Sequence, residues 1–135
     1  MTRFQYVTAE QVMEAHEILL KKYGGLEGGG HRGSSYEGVE AAVKAVENAY
    51  YENIYELAAA YAVYIVQGHV FLDGNKRAAS FAMFEFLWAN KTKTRISPER
   101  SATLMIEMQR RSENGESADS LIRWIAVELT PRKRR

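Results

Sequence analysis

His69-Val70-Phe71-Leu72-Asp73-Gly74-Asn75-Lys76-Arg77 stands between two segments, 54–67 and 78–88, that are apolar almost all round. The first carries Leu57, Ala58, Ala60, Tyr61, Val63, Tyr64, Ile65 and Val66; the second carries Ala78, Ala79, Phe81, Ala82, Phe84, Phe86, Leu87 and Trp88. Helices with so little polar face belong at the centre of a bundle. The nine residues between them hold an imidazole, a carboxylate, a Gly-Asn turn and two adjacent cations. A core has little use for that mixture, because every buried charge must be paired or neutralised.

Outward from this centre the pattern stays helical. Thr8 and Gln11 form a capping box opening a helix with Val12, Ala15, Leu19 and Tyr23 near one face, and Gly24-Gly25 ends it. Six of the ten glycines lie from Gly24 to Gly33. That density favours a flap over a packed element. A second helix starts near Ser34/Ser35 and runs through Val39, Val43 and Val46 to about Asn48. Asn53 with Glu56 caps the third, which Gly68 stops, and the fourth begins near Gly74/Asn75. Thr92 to Ile96 reads as a short extended stretch. Ser97-Pro98-Glu99 starts a helix with Leu104, Met105 and Met108 that ends near Asn114-Gly115. Ser117 or Asp119 caps the last, with Leu121, Ile122, Trp124, Ile125 and Leu129, and Pro131 ends order. With no repeat and no convincing sheet, the expectation is an all-α fold, a compact bundle of five to six helices.

The 135 residues fit one domain, expected over 1–131, followed by a basic tail, 132–135. Net charge is +1, and without the tail's four cations residues 1–131 carry −3. The body is therefore no basic nucleic-acid surface, and direct nucleic-acid binding is not expected. The tail reads as a solubilising terminus. There is no cysteine, hence no disulfide framework or thiolate zinc site, which is compatible with a cytoplasmic location. No membrane span or signal pattern is expected.

The chemistry of the nine residues follows from their position at a helix start. The first N–H groups of that helix lack intrahelical acceptors and carry partial positive charge, so they attract anions. Gly74 has no Cβ to keep a phosphate from the backbone. Lys76 and Arg77 oppose the helix dipole unless an anion cancels them; Arg77 suits bidentate phosphate binding and Lys76 acts as a point charge. Asp73 fits a magnesium ligand beside phosphates, or equally a helix N-cap. His69 has the side chain suited to proton transfer near neutrality. Phe71, between polar residues, points into the core and anchors the loop.

Taken with Lys22-Tyr23-Gly24-Gly25-Leu26 and the alanine-rich helix before His69, the run resembles the signature of the Fic/Doc (Fido) family, and within it the Doc (death-on-curing) branch. The resemblance covers nearly the whole chain. It implies a small all-α fold, ATP or another nucleoside triphosphate as co-substrate with Mg2+, and modification of a protein hydroxyl. It makes His69 the catalytic base and Asp73 the metal-associated acid. Gly74, Asn75, Lys76 and Arg77 become the phosphate cradle, with Lys76 and Arg77 counted among the catalytic residues.

Three departures from the adenylylating pattern His-Pro-Phe-x-x-Gly-Asn-Gly-Arg-x-x-Arg matter. Val70 replaces Pro, Lys76 replaces Gly, and Ser80 stands where the second Arg would be. Lysine fills space that glycine leaves for phosphate, and the lost arginine removes a clamp on the triphosphate. Both changes are similar to the Doc branch, whose members are kinases transferring the terminal phosphate to elongation factor Tu. Gly74, where Doc often carries Ala, leaves the cradle roomier and keeps adenylylation open. The inhibitory pattern [Ser/Thr]-x-x-x-Glu-[Gly/Asn] is not matched at Glu37, Glu113 or Glu116, so a Phd-like antitoxin acting in trans is the expected partner beside the protein substrate.

Other motifs carry less. Gly28-Gly29-Gly30-His31-Arg32-Gly33 matches Gly-x-Gly-x-x-Gly but follows a helix, which removes the dinucleotide reading. There is no Walker A run, and His16, His31 and His69 lack zinc-hydrolase spacing. Tyr50, Tyr51, Tyr55, Tyr61 and Tyr64 fit a core or a partner groove. The rival class is a non-catalytic helical module whose cradle holds an anion or the antitoxin.

Overall fold

A computed structural model describes residues 4–24 and 35–132. Over these it forms six helices and no strand: α1 (Ala9–Tyr23), α2 (Ser35–Glu47), α3 (Ile54–Gly68), α4 (Asn75–Ala89), α5 (Pro98–Glu113) and α6 (Ala118–Leu129). The glycine-rich flap lies outside the described residues from 25 on.

Local chemistry sets most helix starts. The Thr8 hydroxyl accepts from the Gln11 amide at 3.1 Å, and the Gln11 side chain accepts from the Thr8 amide at 2.8 Å, completing the capping box of α1. Ser97 Oγ accepts from the Arg100 amide, with Pro98 opening α5, and Ser117 Oγ accepts from the Ser120 amide at the start of α6. Asn53 Oδ1 accepts from the amides of Tyr55 and Glu56. That end is a simple cap rather than a reciprocal box, because no return bond from the Glu56 side chain forms among the described residues.

The core is built around α3. From Ala58 to Val63 every residue is fully buried, and α3 packs against α2, α4, α5 and α6. Both α3 and α4 bury alanines (Ala58, Ala59, Ala60 and Ala62 on one, Ala78, Ala79 and Ala82 on the other), which lets their backbones lie near each other. Tyr61 is wholly buried; its hydroxyl accepts from the Val7 amide at 2.9 Å and donates to the Val7 carbonyl, tying the N-terminal segment to the core. Burial pushes this phenol above its ordinary pKa.

Several expectations are corrected. The buried face of α1 is Val12, Ala15, His16 and Leu20, whereas Tyr23 is exposed. On α4, Phe81 and Phe84 are half-buried and Trp88 is 77% exposed, so only one face of that apolar helix is core. Thr92 to Ile96 is a connection, not a strand; it is fastened to the end of α6 by the Arg95 amide and Thr94 Oγ1, both donating to the Leu129 carbonyl. Helix α3 includes Gly68 and ends at His69, which takes the left-handed conformation (φ 46°, ψ 49°). Gly68 serves a different need, since a Cβ there would lie 3.3 Å from Val70 Cγ1. Among the five tyrosines only Tyr61 is fully core. Tyr50 is wholly exposed, Tyr51 donates to Asp119, and Tyr55 donates to the Lys93 carbonyl.

Candidate active site

The loop between α3 and α4 is short, and side chains from three helices pin its carbonyls. Ser35 Oγ, at the start of α2, donates to the Val70 carbonyl at 2.8 Å. Asn75 Nδ2 donates to the Phe71 carbonyl at 2.9 Å, while Asn75 Oδ1 accepts from the Phe71 amide at 3.0 Å. His16 Nε2, on α1, lies 2.6 Å from the Asp73 carbonyl. A carbonyl only accepts, so that nitrogen carries the proton. Phe71 is buried at 1% exposure, and its ring stacks on His16 with centroids 3.6 Å apart and planes 3° from parallel. The Phe71 side chain thus lies in the core beneath the loop.

Gly74 is the N-cap of α4, with φ 82° and no side-chain cap. Asp73 does not cap the helix: its Oδ1 accepts from the Gly74 amide at 2.8 Å, and Oδ2 makes no hydrogen bond among the described residues. The first amides of α4 are thus left without a side-chain partner at the positive end of its dipole. A Cβ on Gly74 would lie 3.0 Å from His16 Nε2 and 3.2 Å from its Cδ2. The side of Gly74 that an alanine would occupy faces α1. The glycine accommodates His16 and an αL backbone, so its presence does not by itself enlarge the phosphate side of the cradle.

Asp73, Gly74, Asn75, Lys76 and Arg77 line one end of a cavity of about 910 Å³, bounded by α1, α4 and α5. Lys76 Nζ donates to Gln109 Oε1 at 2.7 Å, and Gln109 in turn donates to Glu113 at 3.2 Å. The Arg77 guanidinium sits 4.9 Å from the centre of the Tyr23 ring, a contact typical of cation–π pairs. Beyond the motif the cavity turns apolar, with Phe81, Phe84, Trp88, Met105 and Ile106 along it. Ser80, where the adenylylating pattern has its second arginine, also lines the cavity and shares a 2.6 Å hydroxyl–hydroxyl contact with the buried Ser101.

His69 is placed differently. It is exposed at the C-terminal end of α3 and is not part of the cavity lining. A non-glycine residue in αL costs backbone energy and is held there by its surroundings. The structure thus gathers Asp73 and the four cradle residues on one wall, with Phe71 buried nearby, and leaves His69 on the outer surface.

For magnesium, the donor set fits a particular kind of site. No group of three or more His, Asp or Glu side chains that could hold a metal occurs among the described residues. Asp73 offers one carboxylate at the cavity wall. Magnesium is commonly held by one or two carboxylates plus substrate phosphates, so Asp73 suits a shared site better than a protein cage.

Sequence reasoning missed His16, which it weighed only as a zinc ligand. Its signal was a histidine on the apolar face of α1, and the loop that it meets lies 57 positions on. A second cavity, of about 730 Å³, lies at the start of α6 and contains none of the motif. There Tyr51 donates to Asp119 Oδ1 at 2.5 Å, and burial together with that carboxylate raises the Tyr51 phenol.

Comparison with known proteins identifies the family. The family model described as the Fic/DOC family matches residues 6–87, a span running from before α1 into the last turn of α4. The protein of Escherichia phage P1 named protein kinase doc is 33% identical over 97 residues, covering 70% of this chain and 75% of that protein. The matched region contains the motif loop, its His16 support and most of the cradle helix, and the chain belongs to the Fic/DOC family, on its Doc branch.

Proposed function

We propose that this chain is a Doc-type toxin that transfers the terminal phosphate of ATP, or of another nucleoside triphosphate, to a Ser or Thr hydroxyl of a translation factor, with elongation factor Tu foremost. The observation that carries the reading is the single cavity wall formed by Asp73, the uncapped start of α4, Lys76 and Arg77. That wall offers positive charge to phosphates and one carboxylate beside them. The relative's printed name, protein kinase doc, supports phosphoryl rather than adenylyl transfer.

In this reading the triphosphate lies along the start of α4 and the base extends toward Phe81, Phe84 and Trp88. Arg77 leaves the Tyr23 face to hold phosphate oxygens, and Lys76 neutralises charge from the α5 side. Magnesium, when bound, would supply positive charge against the negative charge that develops on the phosphates. Asp73 is the residue that would hold it. The target hydroxyl oxygen bonds to the terminal phosphorus as the bond to the diphosphate oxygen breaks, and His69 takes the hydroxyl proton. A base on the open surface suits a hydroxyl carried on a large protein. A Phd-like antitoxin would restrain the enzyme in trans.

The test uses a cell lysate and the purified protein with ATP labelled separately at its terminal and α phosphates. Terminal label should reach a protein band and α label should not, with His69→Ala abolishing transfer while the fold survives. Transfer of α label would make the chain an adenylyltransferase. Absence of both labels would leave the helical binding module as the better reading.

A further inference from the structure

We propose that His16 is a positioning residue for the active site: from α1, its Nε2–H bond to the Asp73 carbonyl fixes the peptide that carries the cradle's carboxylate. The assignment of Asp73 to the cradle rests on the function proposed above; the bracing itself rests on geometry alone.

Four observations converge on His16. It is 1% exposed, which is unusual for an imidazole unless its polar atoms are engaged. Its Nε2 meets the Asp73 carbonyl at 2.6 Å. Its ring lies flat on Phe71, two residues before Asp73. The third contact is with the residue after Asp73, since Gly74 leaves room for this ring and for nothing larger than hydrogen on that side. One side chain therefore touches the loop on both sides of Asp73 and at its own carbonyl.

The consequence for Asp73 is geometric. Its carbonyl is held by His16 and its Oδ1 by the following amide, so both the peptide plane and the carboxylate are oriented. The loop's other pins, Ser35 on Val70 and Asn75 on Phe71, act earlier in the loop and leave Asp73 to His16. Positional errors of about 1 Å at a reacting centre cost roughly a hundredfold in rate, so a buried side chain on α1 has leverage over chemistry that it never touches.

The experiment separates the two contacts of His16. His16→Phe keeps a ring to stack on Phe71 and removes the donor; His16→Gln keeps an N–H donor and removes the ring. In His16→Phe, kcat for transfer should fall about tenfold or more while KM for the nucleotide changes by less than about twofold, because binding groups remain and orientation is lost. His16→Gln should recover most of kcat. Amide hydrogen exchange of the nucleotide-free protein is the second readout: the Gly74 amide, held by Asp73, should exchange faster in His16→Phe and near the wild-type rate in His16→Gln. Unchanged kcat and unchanged Gly74 exchange in a folded His16→Phe would overturn the proposal. Should that variant fail to fold, His16→Gln decides alone, since a folded glutamine variant with lost kcat and fast Gly74 exchange would also overturn it. If the wild-type protein transfers no phosphate, the functional reading fails, and the exchange rates still decide whether His16 orients Asp73.

Discussion

Gly74 shows how one residue can serve two constraints at once. Its φ of 82° is in the region that side chains disfavour, and the place where its Cβ would stand is within 3.0 Å of His16. Gly74→Ala should therefore lower folding stability by about 1–2 kcal/mol from the left-handed backbone alone, with some further cost as the imidazole gives way. The measurement is the urea midpoint, at unchanged m-value. A midpoint equal to that of the wild type would show that the ring moves aside freely and that the glycine is not needed for packing. His69 makes the complementary point, because a histidine rather than the neighbouring glycine adopts the left-handed turn. Sequence pattern assigned that turn to Gly68, since glycine is the usual helix stop. A Cβ on Gly68 would lie 3.3 Å from Val70 Cγ1, so the glycine serves a close approach within the loop and the turn falls on the next residue.

At the scale of the helices, the starts were readable because capping is local. Thr8 with Gln11, Ser97 with Pro98, and Ser117 each satisfy amides within three residues, so their geometry is written in adjacent letters. The exposed sides of α1 and α4 were not readable. Tyr23, Phe81, Phe84 and Trp88 look like core by composition, and the structure turns them toward a cavity. Hydropathy reports that a side chain is apolar, not which neighbour removes it from water. A separate constraint joins α5 to α6. Glu116 accepts from Arg111 Nε and Nη2, each at 2.7 Å, and from Ser120 Oγ, also at 2.7 Å. The Arg111 bonds first, then Ser120, hold its carboxyl at about 2, below the ordinary 4.5. A carboxylate lowered in this way adds stability that is fully present above about pH 4.5 and is lost as pH falls toward about 2. Glu116→Gln should accordingly flatten the acid limb of a stability-versus-pH curve and lower the plateau near neutrality. Curves of equal steepness in that window would remove Glu116 from the account of acid sensitivity.

For the whole molecule, the central helix and the polar run were legible together, because an all-round apolar helix followed by a charged loop has few places to go. Their joining to α1 was not, since nothing at position 16 marks it as the partner of position 73. Of the C-terminal cations, Arg132 is among the described residues; it is exposed and follows the last residue of α6. Removing residues 132–135 should leave the melting temperature and phosphate transfer unchanged, and a loss of either would assign the tail a part in folding or in target capture. The bond from His16 to Asp73 has a last consequence, for the order in which the protein comes to life. During synthesis the brace leaves the ribosome 57 residues ahead of the carbonyl that it holds, and it has nothing to hold until α3 and α4 have paired. The loop takes its braced form only when the first helix docks onto the fourth, so a nascent or locally unfolded chain carries the complete motif without the brace.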